Sequence, residues 1–121
     1  MDVEYDIDRE MIEAAMGIIV DAGDARIAIG EGLASIENGD FEKAEEKFEE
    51  ARHLLAKAHG QQTSIIQSES EGILRQHPLL FIHAQDTLMT INSELNLCKR
   101  TAGIFRKFEN RLNTLEQKVG K

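Results

Sequence analysis

Apolar residues recur three and four positions apart through three long segments of this chain, a period that only an α-helix turns into a continuous face. In the first segment Met11, Ala15, Ile18, Ala22, Ala25, Ile29, Leu33 and Ile36 fall on one side. A second stripe, Ile12, Met16, Ile19, Gly23 and Ile27, widens the apolar surface beyond a two-helix seam, so this helix is expected to meet neighbours on two sides. In the second segment Phe41, Ala44, Phe48, Ala51, Leu55, Ala58, Gln62 and Ile65 form a heptad-type seam. The third carries Phe81, Ala84, Leu88, Ile91, Leu95, Cys98, Ala102 and Phe105, and after one skipped position Phe108, Leu112, Leu115 and Val119. With one proline, 5% aromatic residues and no Trp, the usage is that of a helical protein and leaves no segment for strands.

The boundaries follow from local chemistry. Asp6 or Asp8 can cap the first helix, and the acidic cluster around them suits the positive end of its dipole. "ENGD", Glu37 to Asp40, supplies Asn and Gly to end that helix and Asp40 to cap the next; so short a turn implies antiparallel neighbours. "QSESEGILRQ", Gln67 to Gln76, loses the period and predicts a mobile connection, while His77-Pro78 marks the start of a new helix. The expectation is an all-α protein, a single domain over residues 1–121, folded as an antiparallel three-helix bundle with helices at about 8–37, 40–67 and 79–117. The apolar faces exceed what one small bundle needs, so the surplus is expected to be buried by a closed symmetric oligomer.

Charge narrows the partners. The net charge of -8 sets most of the surface against the phosphate backbone, which argues against nucleic acid and for basic proteins. Up to Cys98 there are 7 basic and 20 acidic residues; from Lys99 to Lys121 there are 7 basic and 2 acidic. A basic C-terminal tail can touch nucleic acid or anionic lipid, but cations near a helix C-terminus also favour its dipole, which is the reading adopted. Glu42, Glu45, Glu46, Glu49 and Glu50 with Lys43 and Lys47 read as a solvated helix face. A lone cysteine excludes an intrachain disulfide, and nothing resembles a signal peptide or a bilayer span, so a cytoplasmic location is expected.

Chemistry concentrates in "FIHAQDTLM", Phe81 to Met89. His83 lies off the main seam toward solvent or a groove; Asp86, one turn on, shares a flanking stripe with Leu79, Ile82 and Met89, aliphatics that would normally exclude a carboxylate. Asp86 is expected to be buried there, and a buried carboxylate needs a compensating partner; at an oligomer axis a metal ion could serve. The plain alternatives are a surface histidine and a locally hydrogen-bonded aspartate. His53, His59 and His77 form no zinc motif with His83 or with each other, and Cys98 on the seam is expected to be a small core residue. There is no G-x-S-x-G elbow, no Walker-type loop and no dinucleotide fingerprint. A helical histidine can still carry a phosphoryl group, since neutral imidazole is nucleophilic near pH 7 and the transfer mainly requires positioning and charge stabilisation.

"HAQDTLM", His83 to Met89, resembles the signature of the enzyme IIA component of the lactose/cellobiose (chitobiose) class of the bacterial phosphoenolpyruvate-dependent sugar phosphotransferase system. "MGIIVDAGDAR", Met16 to Arg26, "GDFEKAEEKFEEA" from Gly39, and "AHGQQTSIIQ", Ala58 to Gln67, resemble its other segments in order and spacing. The resemblance runs from about Met11 to Leu95 and matches poorly beyond. It implies a homotrimer of three-helix subunits and a cytoplasmic phosphotransferase component. That component takes a phosphoryl group from phospho-HPr on histidine and passes it to a cysteine of the IIB component, during uptake of lactose, cellobiose or a related disaccharide. His83 matches the phosphorylated residue, with Nε2 as the acceptor, so Nδ1 needs another contact, for which Gln85 or a neighbouring subunit serves. Asp86 matches the aspartate whose three copies share a divalent cation, magnesium, at the threefold axis. Membrane association is implied only indirectly, through the IIC permease. One departure is Thr87, where the family often has a second histidine; no catalytic role is assigned to it. The rival readings are a histidine phosphotransfer module of two-component signalling, whose usual Lys and Gly after the histidine are missing, and a non-catalytic helical scaffold.

Overall fold

The described chain is three helices: α1, Arg9–Glu37; α2, Phe41–Ser70; and α3, Pro78–Val119. A computed structural model of the protein describes residues 8–76 and 78–120, and contains no strand among them. The starts of α1 and α2 are each capped by an aspartate side chain that satisfies an otherwise orphaned backbone donor. Asp8 accepts from the Met11 N–H at 3.0 Å and Asp40 from the Lys43 N–H at 3.1 Å; Asp6, the other candidate cap, lies outside the described residues. The α1–α2 turn requires Gly39, whose φ of 75° is a left-handed value that costs a side-chain-bearing residue energy. Pro78 opens α3, a position where its missing N–H costs nothing; His77 is outside the described residues.

α2 continues to Ser70, past the loss of apolar period at Gln67. Polar residues can finish a helix on its solvent side. The Ser68 and Ser70 hydroxyls donate to the Ile65 and Gln67 carbonyls, and the Glu71 N–H closes the last turn on the Gln67 carbonyl. The connection that follows is tied down. The Arg75 side chain, 6% exposed, donates to Asp8 at 2.9 Å, to Glu10 at 3.2 Å and to the Ser68 hydroxyl at 2.7 Å, joining the start of α1 to the end of α2.

The buried residues follow the three expected seams with three departures: the α1 seam shifts after Ile29, Phe41 and Gln62 of α2 are only half-buried, and Phe105, Phe108, Leu112, Leu115 and Val119 of α3 are exposed. Met11, Ala15, Ile18, Ala22, Ala25 and Ile29 of α1 are buried, but Leu33 is exposed and Ile36 only half-buried; Ala28, Gly32 and Ser35 take the interior positions instead. The cause is Phe48. A Cβ on Gly32 would stand 2.6 Å from its ring, so α1 approaches α2 over the glycine and turns Leu33 outward. α2 contributes Ala44, Phe48, Ala51, Leu55, Ala58 and Ile65, and α3 contributes Phe81, Ala84, Leu88, Ile91 and Leu95. Cys98 and Ala102 are half-buried against that core, and burial pushes the Cys98 thiol above its ordinary pKa with a further push from Glu94, so the cysteine is packing and not an activated thiolate.

α1 has 29 residues, α2 has 30 and α3 has 42. At 1.5 Å per residue, α3 is about 63 Å long against about 45 Å for the others, so its C-terminal part runs past them. Every residue from Gly103 to Gly120 is exposed.

Candidate functional site

The first turns of α3 are held by what lies beneath them. Phe81, Ala84 and Leu88 are buried against α1 and α2, which fixes the rotation of the helix and leaves the intervening positions outward. His83 is therefore exposed, with no hydrogen bond or ion pair to its ring among the described residues. Its carbonyl accepts the Thr87 hydroxyl at 2.8 Å. That bond occupies the threonine proton within the helix, so Thr87 does not stand in for an imidazole beside His83. Gln85 is half-buried and makes no hydrogen bond to His83. Two residues along a helix correspond to about 200° of rotation, so within one chain the amide and the ring point apart.

Asp86 is exposed, one turn after His83 and unpaired with it. Leu79, Ile82 and Met89 around it are 78%, 51% and 56% exposed. The oddity in the sequence thus takes the form of an apolar outer stripe with a carboxylate in its middle, facing away from the chain's own core. α1 carries a second such stripe in Met16, Val20 and Ile27. Between α1 and α3, Arg26 grips Glu94 through two nitrogens, at 3.0 Å from Nε and 2.6 Å from Nη2; both side chains are substantially exposed, so the pair contributes modestly.

Two polar groups inside the α1–α2 interface escaped the sequence pattern. Asp21 is buried and accepts a hydrogen bond from the Gln61 amide at 2.9 Å, with Lys57 Nζ 3.6 Å from its other oxygen. The sequence signal was a carboxylate beside Ala22 and Ile18 on the inner face, four residues before Ala25. Gln61, beside the seam position Gln62, is the residue that reaches it, and it fits because position 17 is glycine: a Cβ there would collide with the Gln61 amide.

Of the other histidines, His53 is exposed with Nε2 3.4 Å from Glu49, and His59 is exposed. No three His, Cys, Asp or Glu side chains among the described residues come together within one chain as a metal site. A cleft of about 380 Å³ lies at the far end of the bundle, between Phe41, Ala44 and Phe48 of α2 and Lys99, Ala102 and Arg106 of α3. Lys99 is 16 positions beyond His83, which is about 24 Å of helix, so the cleft is separate from the histidine.

Residues 13–106, which include both outer stripes and His83, match the family model of the PTS system, lactose/cellobiose specific IIA subunit. The chain belongs to this IIA family. The lactose-specific EIIA component of Lacticaseibacillus casei is 36% identical to it over 109 residues, spanning 90% of this chain and 94% of that protein. The lichenan-specific phosphotransferase enzyme IIA component of Bacillus subtilis is 33% identical over 101 residues, 84% of this chain and 92% of that protein. The crystal structure of the cellobiose-specific enzyme IIA from Bacillus anthracis superimposes with a TM-score of 0.77 at 30% identity, covering 83% of this chain and 92% of that one. The chain is thus a IIA component of a sugar phosphotransferase system with the helical-bundle fold of its relatives. The IIA similarity also reaches farther than the sequence motifs suggested, to Arg106 and not only to Leu95. No helix among the described residues is long and apolar enough to cross a membrane.

Proposed function

We propose that His83 is the phosphoryl carrier of this IIA component. The single observation that carries the reading is an exposed imidazole, on a helix whose rotation is fixed by Phe81, Ala84 and Leu88, inside the segment matched by the family. Nε2 attacks the phosphorus of a phosphohistidine on HPr, the donor's N–P bond breaks, and the new N–P bond leaves the proton on Nδ1. In the second transfer the thiolate of the IIB cysteine attacks the same phosphorus and the His83 N–P bond breaks. Both partners are proteins, so the carrier must stand outward and cannot sit in a small-molecule pocket. The exposure of His83 meets that requirement. The substrate system is one for lactose, cellobiose or a related disaccharide, and the component works in the cytoplasm, touching the membrane only through the IIC permease.

The working form is a homotrimer in which the outer stripes of α1 and α3 are covered. Covering Leu79, Ile82 and Met89 also covers Asp86, and three carboxylates brought together would repel strongly without a cation. Their oxygen-only donor set suits a hard divalent ion such as magnesium, which would neutralise them. In the trimer Gln85 from one subunit would be free to hold Nδ1 of the next, a contact that helix geometry denies it within its own chain. Incubation with enzyme I, HPr and phosphoenolpyruvate should place one acid-labile phosphoryl group on each chain, and His83→Gln should abolish it with the fold intact. A correctly folded assembly that takes no label would favour the scaffold reading, and label from a sensor kinase would favour two-component signalling.

A further inference from the structure

His83 is the sixth residue of α3, and a helical side chain leans back over the turn that precedes its own Cα. Its ring therefore lies over the first turn, Pro78 to Leu80, in which no residue is buried: Pro78 and Leu79 are exposed and Leu80 is half-buried. The first side chain of α3 seated in the core is that of Phe81. Helix ends fray where packing does not hold them. The core alone thus gives least support to the part of α3 that lies beneath the imidazole.

Support comes from the segment that leads into it. The Ile73 N–H still closes on the Ser68 carbonyl of α2. Beyond it, the ties of the connection to the helical body run through Arg75 and Asp8. Arg75, between the exposed Leu74 and Gln76, places Nη1 2.9 Å from one Asp8 oxygen, and Nε and Nη2 3.0 and 2.7 Å from the Ser68 hydroxyl. The same Asp8 oxygen caps α1 through the Met11 N–H, and the other accepts the Gln76 N–H at 3.4 Å, two residues before Pro78. One carboxylate and one guanidinium therefore fasten the start of α1, the end of α2 and the approach to α3 together. With side chains only 6% and 11% exposed, the pair is shielded from the water that weakens a surface ion pair, and the planar fork of arginine fixes direction as well as distance. We propose that Arg75 and Asp8 are positioning residues for phosphoryl transfer: by clamping the segment before α3 they hold the turn on which the His83 ring rests, and so set the angle at which Nε2 meets the incoming phosphorus. The proposal rests on the reading of His83 as the carrier. Neither residue touches the reacting atoms, but a misplacement of about 1 Å can cost about a hundredfold in rate.

Arg75→Met in the full chain tests this, with phospho-HPr as the donor. The maximal rate of labelling should fall about tenfold or more, while the donor concentration giving half that rate changes less than about twofold, since the ring is misaimed and the docking surface is kept. Amide exchange at Leu79 to His83 should quicken about tenfold or more relative to exchange at Ala22 and Ala25 in α1. Arg75→Lys, which keeps the charge and loses the fork, should recover part of the rate. Asp8→Asn, still able to cap α1, should reproduce the loss, and adding it to Arg75→Met should cost little more, because the two residues act as one clamp. Gln61→Leu, which weakens the α1–α2 interface away from the clamp, should label at the rate of the unaltered chain. An Arg75→Met chain that labels at full rate overturns the positioning role, and so does a loss that Gln61→Leu shares, which would be a general effect of stability. If Arg75→Met does not fold, Asp8→Asn and Arg75→Lys decide by the same comparison. An unaltered chain that takes no label removes the carrier reading and this role with it, whereas labelling of the unaltered chain matched by every clamp variant removes the positioning role alone.

Discussion

Asp21 and Asp86 are both aspartates set among aliphatic side chains, and they end in opposite circumstances. Asp21 lies inside the α1–α2 interface and brings its donors with it, the Gln61 amide at 2.9 Å and Lys57 at 3.6 Å. Asp86 lies outside, with no donor among the described residues, on a stripe whose aliphatics are also uncovered. A carboxylate in an apolar setting is tolerated only with compensation. The difference teaches where that compensation comes from: for Asp21 from the chain itself, for Asp86 from solvent until another molecule arrives.

The sharpest way to break this contrast is to put a carboxylate where neither source exists. Ala22 is fully buried, and the Gln61 amide in this interface is already given to Asp21, so Ala22→Asp is expected to cost more than about 4 kcal/mol in urea unfolding, as a buried unpaired charge should. A cost below 1 kcal/mol would mean the interface admits water and that the clamp on Asp21 is incidental. Next comes Gln61→Leu, which keeps the volume but leaves the buried carboxylate without its amide; about 1–3 kcal/mol should be lost in the same measurement.

Asp8 supplies an intermediate case that pH can read. Burial alone would raise its pKa, but the Met11 and Gln76 backbone N–H groups and the Arg75 guanidinium outweigh it and hold the carboxyl below its ordinary value. Its folded pKa is depressed, so its contribution is fully present above the unfolded carboxylate value of about 3.9 and is lost as pH falls through the lower, folded one. Asp8→Asn should therefore destabilise the protein at neutral pH, and the gap between the two proteins in thermal melts should close in that acid window. A gap that stays constant would remove the charge argument. Smallest of all for the single chain is Asp86→Leu. Its unfolding free energy should change by no more than about 0.5 kcal/mol, as for a surface site, while self-association should lose its response to magnesium and to chelator. Unchanged metal content in the variant assembly would sink the shared-cation proposal.

The period of three and four in the sequence located all three helices to within a few residues, because a helix that buries one face must repeat its apolar residues at that spacing wherever it does so. It misplaced the end of the α1 seam, where Gly32 against Phe48 decided the contact and Leu33 turned outward. Close approach over a missing side chain is a property of two helices, and one helix's pattern does not contain it. The candidate site was legible as a string, "HAQDTLM", but its stereochemistry was not: that Gln85 points away from His83 and that the Thr87 hydroxyl is spent on a carbonyl follow from the turn of the helix and the backbone bond. Arg75 was invisible for a related reason. It stands in a stretch without period and earns its burial from Asp8 and Ser68, 67 and 7 positions away.

By itself, then, the amino-acid order determined that this protein is helical, where its helices begin and end, and which histidine is a candidate to carry chemistry, because caps, turns and apolar periods act over a handful of neighbouring residues. Only the tertiary structure decided that Asp21 is clamped and Asp86 is bare, and that the α2–α3 connection is pinned by Arg75. Those outcomes depend on which groups from distant parts of the chain reach the same place, and distance along a sequence carries no record of distance in space.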